Sequence, residues 1–136
     1  MIKEAGPKPN KRVVQQKESR LQAECFTWAW NERPITRRLL FHVPNENDST
    51  GSNAIKGAMR KSMGVVAGVA DLLLLLPRGR YHGLCIEMKT PDGDQREEQK
   101  TWQKLIESVG FRYEIIRTKE SFQGLIDEYL ALPRNI

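Results

Sequence analysis

The 136-residue sequence predicts one α/β domain with a mixed central sheet flanked by helices. Three observations lead there. Helical and strand periodicities interleave along the chain. The run Gly68-Val69-Ala70-Asp71-Leu72-Leu73-Leu74-Leu75-Leu76 lacks polar alternation, as in a strand covered on both faces. The basic turn Pro77-Arg78-Gly79-Arg80 then returns the chain into a second strand carrying Leu84-Cys85-Ile86-Glu87-Met88-Lys89.

The elements follow in order. Residues 1–17 are polar, with two prolines, and read as a flexible basic arm before a domain spanning 18–136. From Ser19 onward Leu21, Cys25 and Trp28 recur at helical spacing until Pro34, and Glu24 lies beside that stripe. Arg38 to Val43 suits a first strand, ended by a loop dense in turn formers at 44–51. A short helix follows from Asn53 to Met63, stopped by Gly64. After the strand that holds Asp71, the partner strand runs from Tyr81 to Thr90, with Cys85, Glu87 and Lys89 on one face. Asp94 can cap the next helix with Glu97 three residues on. Trp102, Leu105, Ile106 and Val109 supply its apolar stripe, which Gln95 and Gln99 extend toward Glu87. Phe111 to Ile116 is another strand, and Phe122, Leu125, Ile126, Tyr129 and Leu130 mark a last helix.

Composition narrows the partners. The net charge of +5 comes from 22 Lys and Arg against 17 Asp and Glu, collected in clusters that could neutralise phosphates. Arg37, Arg38, Lys61, Arg78 and Arg80 are the nucleic-acid-binding candidates. Cys25 and Cys85, alone and in apolar surroundings, have neither zinc-site spacing nor disulfide density, which suits a reducing cytoplasm. The first residues lack the apolar stretch of a secretory signal, and the longest apolar run is far below the ~20 residues that span a bilayer. Gly64 to Gly68 is not followed by Gly-Lys-Ser/Thr, so no nucleotide cofactor is expected.

Asp71 and Glu87 carry the chemistry. An ionised carboxylate in so apolar a strand is costly unless a positive charge offsets it, and the candidates are Lys89 and a divalent metal bridging Asp71 and Glu87. Hard oxygen ligands with open positions suit magnesium or manganese, and such an ion serves phosphodiester hydrolysis. Lys89 is placed to position water or to stabilise charge on the phosphate. Taken alone, Glu-x-Lys is also the pattern of an ordinary solvated strand face, and ion-pair networks bury carboxylates too. His42, a lone histidine, is left outside the metal site.

Gly68-Val69-Ala70-Asp71, then Ile86-Glu87-Met88-Lys89-Thr90-Pro91, then Gln99-Lys100-Thr101-Trp102 together resemble the VRR-NUC nucleases of the PD-(D/E)XK superfamily. Ala70 departs from the proline of the superfamily name, at a position that shapes backbone. The resemblance implies a restriction-endonuclease-like core. It implies Asp71 and Glu87 as metal ligands, the Met88 backbone carbonyl as a further ligand, Lys89 as the catalytic lysine, and Glu24 and Gln99 as the acidic residue of the first helix and the glutamine of the later helix. It further implies a Mg2+- or Mn2+-dependent deoxyribonuclease acting on branched DNA, a Holliday junction or flap, during replication, recombination or repair. A homodimer in the cytoplasm of a bacterial or phage-infected cell is the expected setting. A DNA-binding module without turnover and a nuclease on unbranched DNA are the alternatives.

Overall fold

A computed structural model of the chain describes residues 10–44 and 53–134. Four short strands, β1 (Leu40–His42), β2 (Leu72–Leu74), β3 (Leu84–Met88) and β4 (Arg112–Ile116), pair in the order β1-β2-β3-β4. The first two pairings are antiparallel and β3–β4 is parallel, so the sheet is mixed as expected. A parallel pair cannot be joined by a tight turn. Its crossover is α3 (Glu97–Ser108).

The sheet is covered on both faces. Leu40, Leu72, Leu74, Leu84, Ile86 and Met88 turn toward α1 (Lys11–Glu32) and α4 (Lys119–Leu130), meeting Cys25, Ala29, Phe122, Ile126 and Tyr129 in the main core. Fully burying each of the larger apolar side chains contributes roughly 1.5–3 kcal/mol, more than any single cap on these helices. Cys85, Tyr113, Leu73 and Ile115 turn the other way, toward Trp102 and Ile106 of α3. All five residues of β3 are buried, as a central strand between two layers requires.

Several boundaries differ from the sequence expectation. α1 begins at Lys11, where the Asn10 side chain accepts the Arg12 N–H at 2.9 Å. Residues 11–17, expected within the arm, are therefore helical, and residues 1–9 lie outside the described residues. Pairing of the aliphatic run is limited to Leu72–Leu74, with Asp71 immediately before it and Leu75 exposed. α3 starts at Glu97 with Arg96, not Asp94, at the cap position. Its apolar stripe is narrower than the periodicity suggests: Trp102 and Ile106 pack, whereas Leu105 and Val109 are 62% and 54% exposed. The sheet face beneath α3 is small, and two side chains one turn apart suffice to cover it. The loop that follows β1 falls largely at 45–52, outside the described residues.

Candidate active site

The register of the antiparallel hairpin decides which side chains meet. Leu72 faces Ile86 and Leu73 faces Cys85, so one further step sets Asp71 opposite Glu87, on the face that looks toward α3. Asp71 is held there. Its Oδ2 accepts the Met88 N–H at 2.7 Å, and its carbonyl oxygen accepts the Val43 N–H at 2.9 Å and His42 Nδ1–H at 2.8 Å. His42 thus serves the backbone of Asp71 rather than a metal.

Glu87 is buried and gripped from two elements. Gln99 Nε2, on α3, donates to Oε1 at 2.9 Å, and the Tyr113 hydroxyl, on β4, donates to Oε2 at 3.4 Å. The Gln99 carbonyl oxygen accepts the Arg96 N–H at 2.9 Å, so the same side chain also closes the first turn of α3. Gln95 Nε2 in turn donates to the Tyr113 hydroxyl oxygen at 3.2 Å and to Gln103 Oε1 at 2.9 Å.

Burial, then the charge of Asp71 and a hydrogen bond to it, push Glu87 up to about 9, against opposition from Lys89 and the Tyr113 hydroxyl. In the metal-free chain that direction favours retention of a proton between Glu87 and Asp71. With both acids ionised the pair would call for a cation between them, and this donor set fits a hard divalent ion. Lys89 N–H donates to Ile116 O at 3.0 Å across the parallel ladder, so Met88, one residue earlier, turns its N–H and C=O toward Asp71. The Met88 carbonyl is on the correct side to join such a ligand set. Among the described residues no group of three or more His, Cys, Asp and Glu side chains is placed to hold a metal. Water and substrate oxygens would complete the coordination, as magnesium commonly requires.

The structure brings Asp71, Glu87, Met88, Lys89 and Gln99 to one end of the sheet. Lys89 is buried there, and its charge acts on both Glu87 and Glu18. Glu24 is not part of this group. It is exposed and lines a shallow cavity of about 430 Å³ with Thr27, Trp28, Asn31 and Lys119. The acidic residue of the first helix that reaches the site is Glu18. Burial raises its pKa, the charges of Lys89 and Asp71 act on it in opposite directions, and it is hydrogen-bonded to the backbone of Thr90. Glu18 and the buried Cys25 are seven residues apart, two turns on one face, whereas Glu24 is 100° off.

The basic candidates divide by pole. Arg37, Arg38, Arg78 and Arg80 lie at the end of the sheet away from the carboxylates, beyond the Leu40–Leu74–Leu84 row. Arg78, expected to contact phosphate, is instead buried, with Nη1 donating to Pro77 O at 2.9 Å and its backbone bridged to Tyr81. Arg37 donates from Nε to Trp30 O and stacks on the Trp30 ring, and Arg80 lies over Tyr81. Lys61 is exposed at the end of α2 (Asn53–Ser62), in the connection that leaves and rejoins the sheet beside the carboxylates. Sequence reasoning missed Tyr113 and Arg117. Arg117 Nη1 donates to the carbonyls of Thr90 and Gly93 at 2.8 and 2.6 Å, bracing the loop after Lys89.

Residues 11–120 match the VRR-NUC domain family. Among solved structures, a VRR_NUC domain protein is similar to this chain at 26% identity with a TM-score of 0.71, over 85% of this chain and 89% of that one. No curated protein matches it. The family match runs from the first turn of α1 through the start of α4 and so includes the four described strands, α1, α3 and the whole carboxylate end of the sheet. By that extent, and by the fold it shares with a solved member, this chain belongs to the VRR-NUC family and is a nuclease-type domain.

Proposed function

We propose that this protein is a magnesium- or manganese-dependent deoxyribonuclease, with Asp71, Glu87 and the Met88 carbonyl as metal ligands and Glu18 in place of Glu24 as the acidic group reaching in from α1. One observation carries the reading: the hairpin register sets two acids, Asp71 and the buried Glu87, opposite each other on the face that also carries Lys89. Structural ion pairs are built to avoid that arrangement, and a divalent cation relieves it.

What the ion supplies when bound is Lewis acidity at the phosphate and a more acidic attacking water. The chain's own groups do the rest. Gln99 and Tyr113 each hold one oxygen of Glu87, fixing the direction in which the carboxyl group points. The Lys89 ammonium, buried beside them, binds the attacking water or the phosphate oxygen and offsets charge as it builds in the transition state. Burial of Glu87 and Lys89 strengthens both effects.

Branched DNA, a junction or flap, is the proposed substrate, and a homodimer the proposed working form; both follow from the family likeness. A small core without a separate reading domain recognises shape and charge through backbone contacts rather than bases. Two buried cysteines without a disulfide suit a cytoplasmic setting. Among the described residues no helix is long and apolar enough to cross a membrane.

The test is cleavage of junction, flap, single-stranded and linear duplex DNA by wild type and Lys89→Ala, each with magnesium, manganese or chelator. Wild type should cut the branched substrates with either metal, stop with chelator, and lose at least a hundredfold in rate on Lys89→Ala. Tight binding of all four substrates with none cut would leave a DNA-binding module and overturn the enzyme reading.

A further inference from the structure

The connection between β1 and β2 holds the one described helix that covers no part of the sheet. α1, α3 and α4 all pack on strands or on one another, whereas α2 does so to no comparable extent. It is nevertheless strongly two-sided. Ile55, Met59 and Met63, each four residues from the next, are 76%, 58% and 79% exposed, and Val65 and Val66 continue the apolar surface. Lys56 and Arg60 flank that stripe, Lys61 lies on the opposite face of the helix, and no Asp or Glu occurs between Asp48 and Asp71.

Placement gives this helix its meaning. β1 ends at His42, whose ring holds the Asp71 carbonyl, and β2 begins beside Asp71, so the whole connection leaves and returns at the carboxylate end. Gly68 anchors the return: a Cβ there would collide with the Glu98 carbonyl, at the first turn of α3 that carries Gln99. Four residues separate Met63 from Gly68, which keeps the end of α2 within roughly 18 Å of that anchor.

We propose that α2 is a branch-sensing wedge: its lysines grip the phosphates of DNA entering the site while Ile55, Met59 and Met63 insert against bases unstacked at a junction, flap or frayed end. The inference rests on the nuclease reading above and deepens it by naming the feature of the substrate that is read. Apolar side chains of this kind insert between base steps in proteins that kink or open DNA. Every exposed base offers a face to them irrespective of sequence. A second copy of the chain is the competing occupant, but pairing α2 with itself through the stripe brings the flanking Lys56 of each subunit against a helix that carries no acid, a like-charge meeting that opposes association. A polyanion faces the opposite balance.

The experiment uses the full chain in chelator, so that binding is read without turnover. The DNAs are a four-way junction, a flap and a linear duplex of equal length, with 2-aminopurine at the branch. Met59→Ser/Met63→Ser, an exposed pair whose change leaves the melting temperature in place, should weaken junction and flap binding about tenfold, leave the duplex unchanged, and abolish the 2-aminopurine brightening that wild type produces. Lys56→Gln/Lys61→Gln should weaken all three DNAs and lower the salt slope by about 2, one for each phosphate no longer neutralised. Retention of branch preference and brightening by the methionine variant overturns the proposal. So does a wild-type dimer that becomes a monomer in that variant, or wild-type binding to phosphatidylserine vesicles that outcompetes the junction. Parallel assays with magnesium separate the two claims. If wild type cuts no DNA yet brightens the branch, the nuclease reading fails and the wedge stands. If cutting persists with unaltered branch selectivity in the methionine variant, the wedge fails and the nuclease stands.

Discussion

Gln99 joins the start of α3 to the Glu87 carboxylate: its carbonyl oxygen takes the Arg96 N–H and its amide nitrogen donates to Glu87 Oε1, each at 2.9 Å. Helix initiation and carboxylate orientation are one unit. Gln99→Ala should lower magnesium affinity at least tenfold, as loss of a group orienting a ligand typically does, and destabilise the fold by about 1 kcal/mol through the open helix end. Tyr113→Phe removes the donor to Oε2 and the acceptor for Gln95, which keeps its bond to Gln103, and should lower metal affinity by a smaller factor with little change in melting temperature. Calorimetric titration with magnesium, alongside thermal melts, separates the two; equal affinity in all three proteins would remove these side chains from any positioning role.

The raised pKa of Glu87 makes stability depend on pH in a defined sense. Its pKa is near 4.5 in the unfolded chain and about 9 in the folded one. Across that window the folded state binds the extra proton, so the contribution is complete below 4.5 and is lost as pH rises through 9. Metal-free protein should therefore melt higher at pH 6 than at pH 8.5, and Glu87→Gln should flatten the difference while raising the melting point by several degrees at the higher pH. Cleavage by that variant should fall below detection. Magnesium binding at pH 7 should also release close to one proton, visible as a dependence of the binding enthalpy on the buffer. A steeper loss of stability toward acid in metal-free protein would contradict the assignment.

Two glutamates on α1 offer a direct comparison. Glu18 is drawn into the field of Lys89 and Asp71, while Glu24 faces solvent near Lys119. Glu18→Gln should reduce cleavage tenfold or more with a raised magnesium requirement, and Glu24→Gln should leave both within twofold. The reverse pattern would return the role to Glu24.

Gly68 has φ +85, and its Cα lies against the backbone of Glu98 and Gln99. A side chain there meets peptide atoms that cannot move aside, and the left-handed backbone adds strain of ~1 kcal/mol or more. Gly68→Ala should lower stability by roughly 2–3 kcal/mol in denaturant melts and weaken metal binding through Gln99. Gly57→Ala is the control: nothing lies within 4 Å of its would-be Cβ, and relief of helical glycine should stabilise α2 by up to ~1 kcal/mol, read as slower amide exchange there.

The most legible part of the site is the part that violates local expectation. Asp71, at the head of an aliphatic run, and Glu87 with Lys89, inside a wholly buried strand, stand out because apolar surroundings do not accept them without a reason. Gln99 follows from helical spacing relative to Trp102. Glu24 is misplaced by sequence because Leu21 and Trp28, both only partly buried, suggest the wrong phase for a long helix, when Cys25 and Ala29 define its inner face and Glu18 extends it. Arg78 looks like a solvent-facing turn cation, since nothing local tells of its burial near Tyr129 of the last helix. Tyr113 carries only a strand-core signal; its hydroxyl acquires a role through the parallel pairing of β3 with β4, a contact 26 residues distant.

The Arg78–Tyr81 turn closes the hairpin at the opposite end of the sheet, and there the Gly79 N–H bonds the Pro133 carbonyl. That geometry gives the molecule a working tip and a handle. A dye, a bead or a fused reader module attached through the tail would hang behind the blade, so new targeting could be grafted on without crowding the cut.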